Sequence, residues 1–126
     1  MKLRLRDDSL RLRLGRSEVA RIGQGESVWS DTHVAGKVLR YGLVPDEAAA
    51  MVQARLEGTT LAVHVPADQA RAWAEGDTVG FGARQPEPEG RTLKILVEKD
   101  FACLAPREGE DDADAFPHPR AGTDTC

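Results

Sequence analysis

Two stretches of this chain hold most of the side chains that could act on another molecule. The first is the opening KLRLRDDSLRLRL, where Lys2, Arg4, Arg11 and Arg13 alternate with leucines. Alternation at period two puts the cations on one face of a strand pair and the leucines on the other. Guanidinium forks on one face suit an anion, either a small ligand or an acidic protein surface, although such a row also serves as an ordinary solvated face. The second stretch is the finish EKDFACLAPREGEDDADAFPHP, which carries Glu108, Glu110, Asp111, Asp112 and Asp114 around a single aromatic, Phe116. It reads either as a solvated acidic tail or as a strap. In the strap reading Phe116 is the anchor and the carboxylates lie over Lys2, Arg4, Arg11 and Arg13, with the ring providing most of the hold because surface ion pairs contribute only about 0–1 kcal/mol each.

The same finish offers a weak metal reading through Asp100, Cys103 and His118 together with the tail carboxylates. Zinc sites are announced by close Cys or His pairs, and CxxC, HxxxH and HExxH are all missing. A calcium loop is suggested by Glu110, Asp112 and Asp114 at every second position, yet Ala115 stands where the turn glycine belongs and Ala121 where the closing glutamate belongs. No metal and no cofactor is therefore expected. Cys103, among the apolar residues of DFACL, reads as a core thiol rather than a nucleophile. His33 and His64 read as surface histidines without a signalled partner, and Trp29 and Trp73 as core or half-core. The glycine pairs GQG and GFG lack the spacing of phosphate loops. With no complete catalytic constellation, the reading leans away from an enzyme; an unrecognised enzyme using Asp100, Cys103, His118 and tail carboxylates is the alternative.

Charge is distributed unevenly. Residues 1–21 carry seven basic and three acidic side chains, the remainder 10 and 18, for a net charge of −4. The acidic remainder and 5% aromatic content disfavour nucleic acid as a partner. The opening lacks the apolar run of an export signal, and no stretch approaches a membrane span of about 20 apolar residues, so a cytoplasmic protein is expected. Two cysteines are too few for a disulfide framework. A monomer or homodimer is compatible with all of this.

The elements that position these residues come from an internal repeat. Sliding the chain by about 51 positions lays residues 1–28 on residues 52–79 without a gap, a shift of 51. Leu3, Leu5, Leu10, Leu12 and Leu14 fall on Ala54, Leu56, Leu61, Val63 and Val65, all read as inward-facing. The turn Asp7-Asp8-Ser9 falls on Gly58-Thr59-Thr60, Ser17 on Asp68, Ile22 on Trp73, Gly25 on Gly76 and Val28 on Val79. Ser17 and Asp68 are expected to cap short helices, and Gly25 and Gly76 to end them at positive φ. Strands follow over roughly 26–34 and 77–83, then KVLRYGLV in one copy and, after the loop QPEPEG, RTLKILVEK in the other. Each half reads ββαββ.

The run VHVPADQARAWAEGDTVGF, with its proline, short helix and Gly-acidic pair before a strand, resembles the unit of AbrB-like and related cradle-loop β-barrels. That resemblance implies a closed or nearly closed pseudo-twofold barrel, although the lysine-containing hairpin signature of AbrB-type DNA binders is missing. Over about 118 residues the chain also resembles an uncharacterised family of small bacterial proteins, through its start MKLRLRDDSLRLRLGRSEV and its finish LKILVEKDFACLAPREGEDDADAFPHP. That likeness implies no activity.

The sequence thus leads to a mainly β (α+β) fold with two short helices, a pseudo-twofold β-barrel of two ββαββ repeats. Its single domain spans 1–104, with repeats at 1–45 and 51–99, and 105–126 form an acidic C-terminal tail or strap. The expected function is that of a non-catalytic binding domain that recognises a protein or anionic ligand through its basic hairpin face.

Overall fold

The computed structural model describes residues 1–101 and 114–116. Eight strands and two helices follow in the order β1 (Lys2–Arg6), β2 (Ser9–Leu14), α1 (Arg16–Gly23), β3 (Val28–Val34), β4 (Lys37–Asp46), β5 (Gln53–Glu57), β6 (Thr60–Pro66), α2 (Ala67–Glu75), β7 (Gly80–Glu87) and β8 (Arg91–Lys99). Each half is therefore ββαββ. Both first hairpins close on a two-residue turn whose leading residue takes left-handed backbone, Asp7 at φ 50° and Gly58 at φ 59°. The second turn of the first half, Ala35-Gly36, has both residues at positive φ, the conformation that matches strand twist.

The strands form two sheets, and neither belongs to one half. Sheet A has the order β1-β2-β8-β7 and sheet B the order β3-β4-β6-β5. Each contains one first hairpin and one second hairpin, joined by a parallel pairing, β2 with β8 and β4 with β6. The two first hairpins share one register: Leu3 opposes Leu12 as Ala54 opposes Val63, and Leu5 opposes Leu10 as Leu56 opposes Leu61. The inner faces meet in one core of Leu10, Leu12, Leu14, Ile95 and Val97 from sheet A and Val28, Leu43, Val63 and Val65 from sheet B. Val19 and Ile22 of α1 and Ala70 and Trp73 of α2 complete it.

Several expectations need correction. The sheets do not close into a barrel, because no backbone ladder joins β1 to β3 or β5 to β7. At the second of these seams a side chain stands in for the missing ladder: Ala54 N–H donates to Gln85 Oε1 at 2.8 Å, and Gln85 Nε2 donates to the Ala54 carbonyl at 3.1 Å. Leu5 and Leu56, read as inward, are 63% and 69% exposed, since they lie at the turn end of edge strands, where the opposing sheet no longer covers them. The match of Val28 with Val79 also slips. Val28 opposes Leu43 in its hairpin while Phe81 opposes Val97, and Leu43 and Val97 pair with equivalent positions of β6 and β2. Phe81 is thus the counterpart of Val28, Val79 is left 41% exposed, and the Phe81 ring packs edge-on against Trp73 at 5.4 Å.

The QPEPEG segment is not wholly loop either. β7 runs through Pro86 to Glu87, which an edge strand tolerates because a missing N–H can face away from the ladder. Gly76 has φ −100° and extended backbone rather than the expected positive φ, whereas Gly25 does take φ 85°. A Cβ at Gly76 would lie 2.8 Å from the Ala72 carbonyl, so crowding explains the glycine there.

Replacing Gln85 with alanine strips the buried Ala54 backbone of both its partners across the seam. Gln85→Ala is expected to lower unfolding free energy by about 1–2 kcal/mol, read as a fall in the urea midpoint at unchanged m-value.

Candidate functional site: the cationic face of sheet A

On the outer face of sheet A, β1 contributes Lys2, Arg4 and Arg6, β2 contributes Ser9, Arg11 and Arg13, and β8 contributes Lys94, Leu96 and Glu98. The antiparallel register sets Arg4 directly opposite Arg11 and Lys2 opposite Arg13. The parallel register sets Ser9 beside Lys94, Arg11 beside Leu96 and Arg13 beside Glu98. Like charges facing each other across a strand pair destabilise it, so this sheet carries a local cost. Part of that cost is offset. Glu98 Oε1 lies 3.3 Å from Arg11 Nε and 3.9 Å from Arg13 Nε, and Lys2 Nζ lies 3.0 Å from Asp100 Oδ2. Among the described residues no carboxylate comes within 4.0 Å of the cationic nitrogens of Arg4, Arg6 or Lys94. These three, with Ser9, Arg11 and Leu96, line an open cleft of about 330 Å³.

Sheet B shows what the same frame does without this arrangement. The counterparts of the Arg4–Arg11 and Lys2–Arg13 pairs are Arg55 opposite Ala62 and Gln53 opposite His64. Arg40 holds Asp31 through two bonds of 2.8 and 3.1 Å, which keeps the Asp31 carboxyl below its ordinary value. His64 Nδ1 lies 2.9 Å from Asp46 Oδ2. The Asp46 carboxyl is also lowered, first by the Ala48 N–H and then by His64. Two pairs on this face are matched, Arg40 with Asp31 and His64 with Asp46, while among the described residues Arg55 has no carboxylate within 4.0 Å. Trp29, 41% exposed, lies over Gly42, where a Cβ would run into its ring.

The described part of the C-terminal stretch lies elsewhere. Arg16 N–H donates to the Asp114 carbonyl at 2.8 Å, Ser17 N–H to Asp114 Oδ1 at 3.2 Å and Ser17 Oγ to Asp114 Oδ2 at 2.6 Å. Asp114 therefore occupies the N-terminus of α1 rather than lying over Lys2, Arg4, Arg11 and Arg13. Ser17 sits inside the first turn instead of capping it, Gly15 and Pro66 take the N-cap positions of α1 and α2, and neither Ser17 nor Asp68 is the cap expected. Phe116 N–H donates to the Asp100 carbonyl at 2.6 Å, and the Phe116 and Phe101 rings lie 5.7 Å apart. Glu108, Glu110, Asp111, Asp112, Cys103 and His118 lie outside the described residues. Of the weak metal set only Asp100 and Asp114 are described, the first carboxylate held by Lys2 and the second by Ser17; among the described residues no group of three or more potential ligands gathers.

Lys99 was missed in the sequence although its position carried a signal. It continues the inward alternation of Ile95 and Val97 and is 7% exposed. Its ammonium donates to the Gly76 carbonyl at 2.7 Å and faces the Trp73 and Phe116 rings at 5.9 and 5.7 Å. A cation at the end of α2 satisfies a carbonyl left free by the helix and stacks on two π faces, so it belongs to the core rather than to the cleft.

The Ser17 hydroxyl and then the Ser17 N–H hold the Asp114 carboxyl below its ordinary 3.8. A depressed folded pKa stabilises the charged form, so the contribution is complete above the unfolded value and fades as pH falls through the lowered one. Asp114→Ala is expected to cost about 1 kcal/mol at pH 7. Chemical denaturation at pH 7 and at pH 2.5 checks this, with the gap between the two proteins shrinking at the lower pH.

No helix among the described residues is long and apolar enough to cross a membrane. Among curated proteins, and among solved structures, nothing matches the chain. One family model does, described as a family of unknown function and covering residues 1–120, and the chain belongs to that family.

Proposed function

We propose that this chain is a non-catalytic binding domain whose site is the cationic face of sheet A, taking an anionic ligand or the acidic surface of a protein. The observation that carries this reading is the Arg4–Arg11 pair, two guanidinium groups opposed across a ladder beside Arg6 and Lys94. Local rules of strand pairing are broken there, and such breaks concentrate where a surface meets a ligand that supplies the missing charge. The equivalent pair in sheet B, Arg55–Ala62, breaks no such rule. Guanidinium forks suit phosphate or carboxylate oxygens, and Leu96 adds an apolar patch to the cleft lining for a ligand's carbon skeleton. A cytoplasmic setting belongs to the same reading, since two cysteines are too few for a disulfide framework.

Tripolyphosphate is the simplest probe. Calorimetric titration at low ionic strength is expected to give saturable binding that weakens steeply with added salt. Arg4→Ala/Arg11→Ala is expected to weaken it tenfold or more while leaving stability unchanged or raising it by a few tenths of a kcal/mol, because like-charge opposition is relieved. Arg55→Ala, at the matching position of sheet B, is expected to leave binding as it was. Equal binding by all three proteins, or none by the parent chain, would overturn the reading.

A further inference from the structure

The two sheets share a frame but finish their outer edges differently. In sheet B the edge strand β5 presents the Ala54 N–H and C=O away from its hairpin partner, and the Gln85 amide takes both. Because the two hairpins have the same register, Leu3 of β1 is the counterpart of Ala54 and turns its own N–H and C=O outward; the alternation of the ladder does the same for Leu5. The residue placed to do for Leu3 what Gln85 does for Ala54 is Thr32. It opposes Leu39 as Gln85 opposes Leu93, and Leu39 and Leu93 are equivalent by the register of the two parallel pairings. Thr32 is exposed, and its side chain is too short to present an amide's donor and acceptor together. Among the described residues, no backbone hydrogen bond outside the β1–β2 ladder involves Leu3 or Leu5. β1 is an open edge.

Open edges are templates for pairing with another strand, and proteins commonly guard them with charge. Lys2, Arg4 and Arg6 give this edge charges of one sign, which repel a second copy of β1 but attract an acidic strand. The edge strand β5 is different, since it mixes Gln53, Arg55 and Glu57 and has its clamp besides. The opposite face of β1 carries Leu3, half-buried, and Leu5, 63% exposed. A strand added at β1 would thus meet cations on one face and leucines on the other.

We propose that β1 is a strand-addition site for an extended acidic peptide of a partner protein. Main-chain pairing to Leu3 and Leu5 holds its backbone, its acidic side chains lie beside Arg4 and Arg6, and its alternate apolar side chains cover Leu5. The proposal rests on the anion-binding reading of the cationic face and names the partner for it.

The test uses the full chain and a synthetic peptide of four Glu-Val repeats, with two versions N-methylated either at every valine or at every glutamate. Only one of these sets presents its N–H groups to β1, so one methylated version is expected to lose binding tenfold or more while the other retains it. Backbone amide exchange at Leu3 and Leu5 is expected to slow in the complex. If both methylated peptides bind like the parent peptide, attraction is purely electrostatic and strand addition is overturned. If tripolyphosphate binds and the peptide does not, strand addition also fails while the anion-binding reading stands. If neither binds, the anion-binding reading fails, and strand addition with it.

Discussion

The parallel pairings of β2 with β8 and of β4 with β6 are the constraint on which the remaining structure depends. Each sheet takes its first hairpin from one half of the chain and its second hairpin from the other, so neither half can bury its apolar face alone. Leu10, Leu12 and Leu14 meet Ile95 and Val97 within their sheet, and Val63 and Val65 meet Leu43 in theirs. Parallel strands cannot be joined by a tight turn. The direct connections avoid this: α1 and α2 carry the chain from the first hairpin of one sheet to the second hairpin of the other, and the two helices pack on one another. Residues far apart in sequence are brought together in this way, which is why Glu98 and Lys94 share a face with Arg11 and Ser9.

The same frame supports two outer faces of different character. On sheet B, Trp29 of β3 covers Gly42 of β4. At the matching positions on sheet A, β7 carries Gly82 and β8 carries Leu96, so the bulk moves from the edge strand to the central one. Trp29 spreads over its own sheet, against Gly42. Gly82 has no side chain to cover Leu96, which lines the cleft beside Arg11. Repetition of the elements therefore does not imply repetition of the site, and the difference arises from a few side chains placed on equivalent backbone.

Much of the fold was legible because its causes are local. Leucine alternation gave β1 and β2, the Asp7-Asp8 and Gly58-Thr59 turns gave the hairpins, and the offset between halves gave the order ββαββ. What escaped was set by distant parts of the chain. Ser17 looked like a cap, but the free N–H groups at α1 meet Asp114, 97 residues away in sequence. Val79 matched Val28 by type, yet the core position went to Phe81 because the ladder with β8, not the sequence offset, decides which residue opposes Val97. Closure into a barrel was expected from a local likeness, whereas seams between sheets depend on single side chains such as Gln85. For the site, the cations were legible and their compensation was not. Only the β2–β8 register shows that Glu98 attends Arg11 and Arg13.

That compensation gives the cationic face a direction. Toward the helices, Lys2 is held by Asp100 and Arg13 by Glu98, and Asp100 is itself tied into the backbone by its N–H on the Leu14 carbonyl and its carbonyl on the Phe116 N–H. Toward the Asp7-Asp8 turn, Arg4, Arg6 and Lys94 have no such carboxylate among the described residues. The gradient runs along β1 and β2, so the cations without a carboxylate lie where Leu5 loses its cover and where, among the described residues, the β1 edge has no neighbouring strand. A low-dielectric wall beside exposed charge focuses its field outward. In the proposed reading an anionic strand meets, at the turn end of the first hairpin, exposed leucine, backbone groups without partners among the described residues, and unmatched cations within one strand's length.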